Sequence, residues 1–165
     1  RFLLELDGTY KSTGVDLSAE MINLAREQAP GCQFLVQDIR DIRPGRTYDT
    51  VVASFCIVHL TDDEAIELLR TVSLLLKENG TLYLSFMEGK NPGIETTSFS
   101  IDGMFFNYFQ RGQIREILSK FSIEVTETLT EAYEETDGSS TEDVFIFARS
   151  SSAAAGVPTC FRQRN

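Results

Sequence analysis

Apolar residues fall along this chain in two rhythms: short, nearly continuous runs, and longer stretches with a three- and four-residue period. Residues 10–16, 32–36, Tyr48–Ser54 and 81–87 are the short runs that predict strands, the last three of them mostly apolar. Strands this continuously apolar suit a sheet covered on both faces. Between the first two runs, Ser18 stands where a helix N-cap belongs, with Glu20 in the first turn and Met21, Leu24 and Ala25 on one face. Pro30-Gly31 ends that helix. After the third run, Thr61-Asp62-Asp63-Glu64 has the form of a capping box. It opens a helix carrying Ile66, Leu69, Val72 and Leu76, with Lys77 complementing its C-terminus and Asn79-Gly80 as the stop.

The pattern weakens over residues 88–109, which are rich in Gly and aromatics and show no period. A loop of that length in a compact domain is usually functional. Its aromatics, Phe99, Phe105, Phe106, Tyr108 and Phe109, serve either as a lid over a pocket or as a cover for the sheet. Ile114, Ile117, Leu118 and Phe121 then mark an amphipathic helix. Residues 122–129 and 144–148 flank an acidic, Gly/Ser-rich turn over 134–142 and predict an antiparallel hairpin. Residues 2–6 read as the end of a helix stopped at Asp7-Gly8, and residues 150–165 as a flexible tail. The order is thus helix end, β, α, β, β, α, β, α, β, β. It predicts one α/β domain over residues 1–149 with a mostly parallel sheet closed by an antiparallel pair.

Composition narrows the function classes. The 165 residues are 42% apolar and 24% charged, an ordinary soluble globular balance that excludes collagen-like and wholly disordered chains. No apolar run approaches the roughly 18 residues of a membrane span. Lys and Arg number 15 against 25 Asp and Glu, and the net charge of −10 repels a phosphate backbone, so no nucleic acid partner is expected. Cys32, Cys56 and Cys160 lack metal-ligand spacing and read as small apolar filling in a reducing, cytoplasmic compartment. With a single His in the chain, no metal site is expected. No feature fixes the oligomeric state.

In an open parallel sheet, ligands bind at the carboxyl ends of the strands. Three predicted strands end there in polar residues: Asp16, Asp38 and Ser54. An ionised carboxylate is acceptor-only, with room for two donors, so Asp16 can take both hydroxyls of a ribose. Alternatively it closes an Asx turn before Ser18 and places charge at the helix N-terminus. Asp38 either accepts from an adenine amino group or is a simple turn residue before the Arg-rich loop. His59, just past the third strand, is either a general base or a satisfied structural residue.

These residues together resemble a family. Thr13-Gly14-Val15-Asp16-Leu17-Ser18-Ala19-Glu20-Met21 is similar to the second motif of the class I S-adenosylmethionine (SAM) dependent methyltransferases. Gln37-Asp38-Ile39 resembles the acidic motif after their third strand. Tyr48-Asp49-Thr50-Val51-Val52-Ala53-Ser54-Phe55, with Val58-His59-Leu60 beyond, resembles the fourth strand and its exit. Leu76-Lys77-Glu78-Asn79-Gly80-Thr81-Leu82-Tyr83-Leu84 is similar to the turn into the fifth. Order and spacing match over residues 2–149. The resemblance implies a Rossmann-like fold, SAM as cofactor and a small-molecule methyl acceptor. It implies that Asp16 binds the ribose hydroxyls and that Leu17 and Met21 pack beside the adenine, Met21 having core filling as its alternative. Asp38 would meet the adenine amino group with the Ile39 backbone beside it, and Ser54 and Phe55 would border the methionine end. Methyl transfer from a sulfonium needs in-line approach and exclusion of water more than an acid or base, so no catalytic residue is assigned.

The chain departs from the family in one respect. The first motif, a strand ending in a Gly-x-Gly loop that holds the methionine portion of SAM, should stand just before residues 2–6 and is absent. The chain also opens on Arg1 rather than Met. The expectation is an N-terminally truncated domain lacking its first central strand, a gap in the sheet, and impaired cofactor binding. Two other readings stand beside it. One is a nicotinamide-dependent oxidoreductase, since an Asp at the end of the second strand also suits a dinucleotide ribose. The other is a degenerate, non-catalytic binding subunit.

Overall fold

The computed structural model describes residue 8 and residues 10–97, 100–134 and 140–151; the side chains of residues 97–102 and of residue 133 are not part of that description. The predicted helix end at residues 2–6 and all but the first two residues of the predicted tail lie outside it. The chain divides into two compact units, Arg1–Arg43 and Pro44–Asn165.

The first unit is a β-α-β crossover. Strand β1 (Thr13–Asp16) leads into helix α1 (Ala19–Gln28) and returns as β2 (Gln33–Val36), parallel to β1 with Gly14 opposite Phe34 and Asp16 opposite Val36. Ser18 caps α1 as the sequence predicts, its hydroxyl accepting the Met21 amide at 3.2 Å. The buried face differs from the predicted one. Ile22, Ala29 and Phe34 form the core, with Ala25 and Cys32 packed on it, while Met21 and Leu24 are exposed. The spacing 22, 25, 29 is the helical stripe that faces β2. Strand β1 is also shorter than the predicted 10–16, because the β1-β2 register starts at Thr13, although the Ser12 carbonyl oxygen accepts the Gln33 amide at 2.9 Å.

The second unit holds a four-stranded sheet in the order β3 (Tyr48–Ser54), β4 (Leu76–Glu88), β8 (Ser140–Ser150) and β7 (Ile123–Glu134). Strand β3 (Tyr48–Ser54) has the predicted bounds and pairs parallel with β4 (Leu76–Glu88). Helix α2 (Asp62–Leu75) connects them, and both halves of the Thr61/Glu64 capping box are formed. It buries Ala65, Leu68, Leu69 and Val72. The Asn79-Gly80 turn lies inside β4, where the register jumps from Tyr48 opposite Leu76 to Thr50 opposite Thr81. Asn79 takes φ 60°, and a Cβ on Gly80 would sit 2.8 Å from the Lys77 carbonyl oxygen. Lys77 lies beyond the helix end and pairs with Asp49 at 2.8 Å instead of complementing the helix terminus.

The C-terminal hairpin is longer than its sequence signal. Strands β7 (Ile123–Glu134) and β8 (Ser140–Ser150) pair antiparallel, and β8 inserts beside β4. The more apolar strand of the hairpin takes the inner position, burying Val144, Ile146 and Ala148, while the Glu-rich β7 takes the edge, where charge blunts unwanted pairing. Helix α3 (Arg111–Lys120) buries Ile114 and Leu118.

Residues 88–109 are not a loop. They contain a hairpin of β5 (Gly93–Thr97) and β6 (Ser100–Phe106) with a register irregularity between Glu95 and Thr97. That irregularity breaks the alternation by which a strand is read from sequence. The architecture is α/β, parallel in β1-β2 and β3-β4 and ending in an antiparallel pair. Among the described residues β1 pairs with β2 alone and β3 with β4 alone. No described helix is long and apolar enough to cross a membrane.

Candidate functional site

In the first unit, the parallel register and a hydrogen bond from the Gln37 amide to the Asp16 carbonyl oxygen (2.9 Å) bring the carboxyl ends of β1 and β2 out side by side. Asp16 and Asp38 therefore follow from the same end of one small sheet. Asp16 Oδ1 accepts the Ser18 amide at 2.8 Å, closing an Asx turn that delivers Ser18 to its capping position. No described residue donates to Oδ2. The two sequence readings of Asp16 are thus compatible: one oxygen holds the turn and the exposed remainder of the carboxylate is open to donors.

Leu17 and Met21 follow this carboxylate in sequence and are 69% and 55% exposed. Core filling, the alternative for Met21, is excluded because Ile22 holds the buried position. Two large apolar side chains left open beside an acceptor-only carboxylate suit a ligand with a flat apolar ring and a diol.

Asp38 is more fully engaged. It caps a 3-10 turn (Ile39–Asp41), accepting the Arg40 amide at 2.9 Å, and the Arg40 guanidinium donates to both of its oxygens, at 2.6 Å to Oδ2. Those hydrogen bonds hold the Asp38 carboxyl well below the usual range, at about 2. The turn-residue reading describes its observed contacts, and an amino group would have to share the carboxylate with Arg40. Ile39 is half-buried at the start of the turn.

Ser54 and Phe55 belong to the second unit. Ser54 ends β3 and is exposed; Phe55 follows with φ 48°, a left-handed conformation that costs a side-chain-bearing residue on the order of 1 kcal/mol. The Phe55 amide donates to both the Ser85 carbonyl oxygen (3.1 Å) and Ser85 Oγ (3.0 Å), and its ring lies edge-on to Phe145 at 6.1 Å. Beyond it, burial pushes the Cys56 thiol up to about 11, so this cysteine is a neutral filler. His59 is held by its Nδ1 on the Phe105 carbonyl oxygen at 3.0 Å and by an edge contact with Phe106 at 4.8 Å. Those contacts are the satisfied structural arrangement. They also account for Phe105 and Phe106, which stand beside a 3-10 turn (Ile57–His59). Phe109 lies edge-on to Phe86, covering the sheet, and Phe99 lies outside the described residues.

The structure thus places Asp16, Leu17, Met21, Asp38 and Ile39 in one unit, and Ser54 and Phe55 in the other. Three residues of the second unit were not singled out from sequence. Ser85 is fully buried under the Phe55 turn. Asn107, 3% exposed, donates through Nδ2 to the Leu60 carbonyl oxygen (2.9 Å) and Asp62 Oδ1 (3.0 Å), tying the end of β6 to the start of α2. Its signal was legible as the one polar position in Phe105-Phe106-Asn107-Tyr108-Phe109. Arg111 bridges Glu88 and Glu142, and its amide donates to Glu88 Oε1 at 3.1 Å, which seats α3 on β4 and β8. Among the described residues no group of three His, Cys, Asp or Glu side chains could hold a metal ion.

Comparison with known proteins adds to this geometry. Residues 1–80 match the model of a methyltransferase domain family. Trans-aconitate 2-methyltransferase of Enterobacter sp. (strain 638) is 37% identical over 70 residues, covering 42% of this chain and 27% of that protein. The chain spans about a quarter of the length of the curated relatives it matches, 27% and 26%. A SAM-dependent methyltransferase of Methanosarcina mazei superposes with a TM-score of 0.72 at 16% identity, over 91% of this chain and 85% of the other. Magnesium protoporphyrin IX methyltransferase of Synechocystis PCC 6803, solved with bound SAM, does so with a TM-score of 0.64 at 19% identity, over 86% and 60%. The fold is therefore the Rossmann-like methyltransferase sheet, and the chain resembles SAM-dependent methyltransferases in both fold and sequence.

Proposed function

We propose that this chain carries a SAM-dependent methyltransferase domain whose acceptor is a small molecule. The observation that carries the reading is Asp16: an exposed carboxylate at the carboxyl end of β1, one oxygen closing the turn into α1 and the rest open, with Leu17 and Met21 exposed beside it. In this reading Asp16 accepts the ribose hydroxyls, Leu17 and Met21 flank the adenine, and Asp38 with the Ile39 backbone meets the adenine edge. Ser54 and Phe55 border the methionine end. SAM brings the activated methyl group. The protein's part is to bind and orient the sulfonium and to exclude water, work that needs no dedicated acid or base.

The net charge of −10 favours a small acceptor over a nucleic acid, and the free Cys32 and Cys56 suit a reducing, cytoplasmic setting. The alternative nicotinamide-dependent oxidoreductase finds no support among these relatives, which are described as methyltransferases. The test is calorimetric titration of the chain with S-adenosylhomocysteine (SAH) and, separately, with NADH. Saturable SAH binding without NADH binding is expected; NADH binding without SAH binding would overturn the assignment.

A further inference from the structure

Ser85 lies in the middle of β4, directly opposite Ser54 of β3 on one side and Phe145 of β8 on the other. Residues directly opposite each other in a ladder present their side chains on the same face, so Ser54, Ser85 and Phe145 form a row across three strands. The central member is fully buried, a hydroxyl at a position whose neighbours along β4, Leu84 and Phe86, are both buried and apolar. A buried hydroxyl without a partner is costly, and this one is fully used. Ser85 Oγ accepts the Phe55 amide at 3.0 Å and donates to Ser54 Oγ at 3.4 Å. The Phe55 amide is thereby shared between the carbonyl and the hydroxyl of one residue, at the very position where the backbone turns left-handed.

A phenylalanine does not adopt φ 48° unless its surroundings over-determine it. Two features do so here: the forked acceptor at Ser85 and the edge contact of the Phe55 ring with Phe145, which faces Ser85 across the ladder. The ring and the amide are fixed by the same row of residues. Alanine at position 85 would leave the sheet intact, since every ladder bond of β4 is a backbone bond, yet would remove half of the fork.

We infer that Ser85 is a positioning residue for the cofactor site: its hydroxyl locks the strained Ser54-Phe55 turn in the conformation that borders the methionine end of the ligand. This rests on the methyltransferase reading for its ligand but not for its geometry. Ser85 itself touches no ligand in this scheme and acts through the Phe55 backbone.

The test uses the full chain as wild type, Ser85→Ala, Phe55→Gly and the double variant, with two readouts. The first is hydrogen exchange at the residue-55 amide without ligand, and the second is SAH affinity. Ser85→Ala should accelerate exchange at Phe55 about fivefold, the worth of one modest hydrogen bond, with the protection of Leu82 and Leu84 unchanged. It should weaken SAH binding by a similar factor. In the Phe55→Gly background, where the left-handed turn carries no strain, Ser85→Ala should change SAH affinity little. Unchanged exchange at Phe55 in Ser85→Ala would overturn the inference, as would equal losses of affinity in both backgrounds. A wild-type chain that binds no SAH would refute the methyltransferase reading and the ligand-positioning role with it, while faster exchange in Ser85→Ala would still establish the lock.

Discussion

Gly14 lies directly beneath the ring of Phe34: a Cβ at position 14 would stand 2.7 Å from Phe34 Cδ1 and 2.8 Å from Cε1. The two residues are opposite one another in the β1-β2 ladder, and Phe34 belongs to the small core with Ile22 and Ala29. The absence of a side chain at 14 is what lets the ring close that core. Gly14→Ala must push the ring out or spread the strands. We expect a loss of about 1–3 kcal/mol in the first unit, read as earlier urea unfolding. An unchanged midpoint would show that the ring is free to move.

Arg40 lowers the pH at which Asp38 titrates. The folded-state carboxyl titrates at about 2, below its ordinary value, so the interaction stabilises the fold above roughly pH 4 and is lost as the pH falls through 2. Arg40→Gln should return the Asp38 titration toward about 4. Carboxyl-carbon NMR titration of both proteins checks this. A midpoint that stays near 2 without Arg40 would assign the effect to the turn amide instead.

Asn107 spans two elements with one amide group. Asn107→Ala would leave the Leu60 carbonyl oxygen without its side-chain donor, and the expected cost is about 1–3 kcal/mol in thermal or urea unfolding. The backbone bond from Asn107 to the Val58 carbonyl oxygen (2.7 Å) remains, so unfolding should stay cooperative. Thr61→Ala, which removes the neighbouring capping box, should cost about 1 kcal/mol.

Much of the architecture was legible because local chemistry and tertiary demand agree. Thr61 and Glu64 announce a helix start that the structure forms in full, and Tyr48–Ser54 reads as the strand it is. Where they disagree, the sequence misleads. Met21 and Leu24 look like the inner face of α1, but the position of β2 selects Ile22. Gly93 and Gly103 read as loop residues, although Gly103 is small because the Ile94 side chain lies over it in the β5-β6 hairpin. The site shows the same division. Asp16 and Asp38 are visible as acidic residues after apolar runs. The left-handed Phe55 is not, since phenylalanine carries no turn signal and its conformation depends on Ser85, thirty positions away.

The proposal turns on Asp16 as the ribose acceptor, and amide NMR of the labelled chain titrated with SAH tests it most directly. Saturable shifts are expected at Leu17, Met21 and Ile39. In Asp16→Ala, affinity should fall about tenfold or more, the loss of charge-assisted hydrogen bonds, while α1 remains folded. Equal affinity in wild type and Asp16→Ala, or no shift at these residues at saturating SAH, would contradict it.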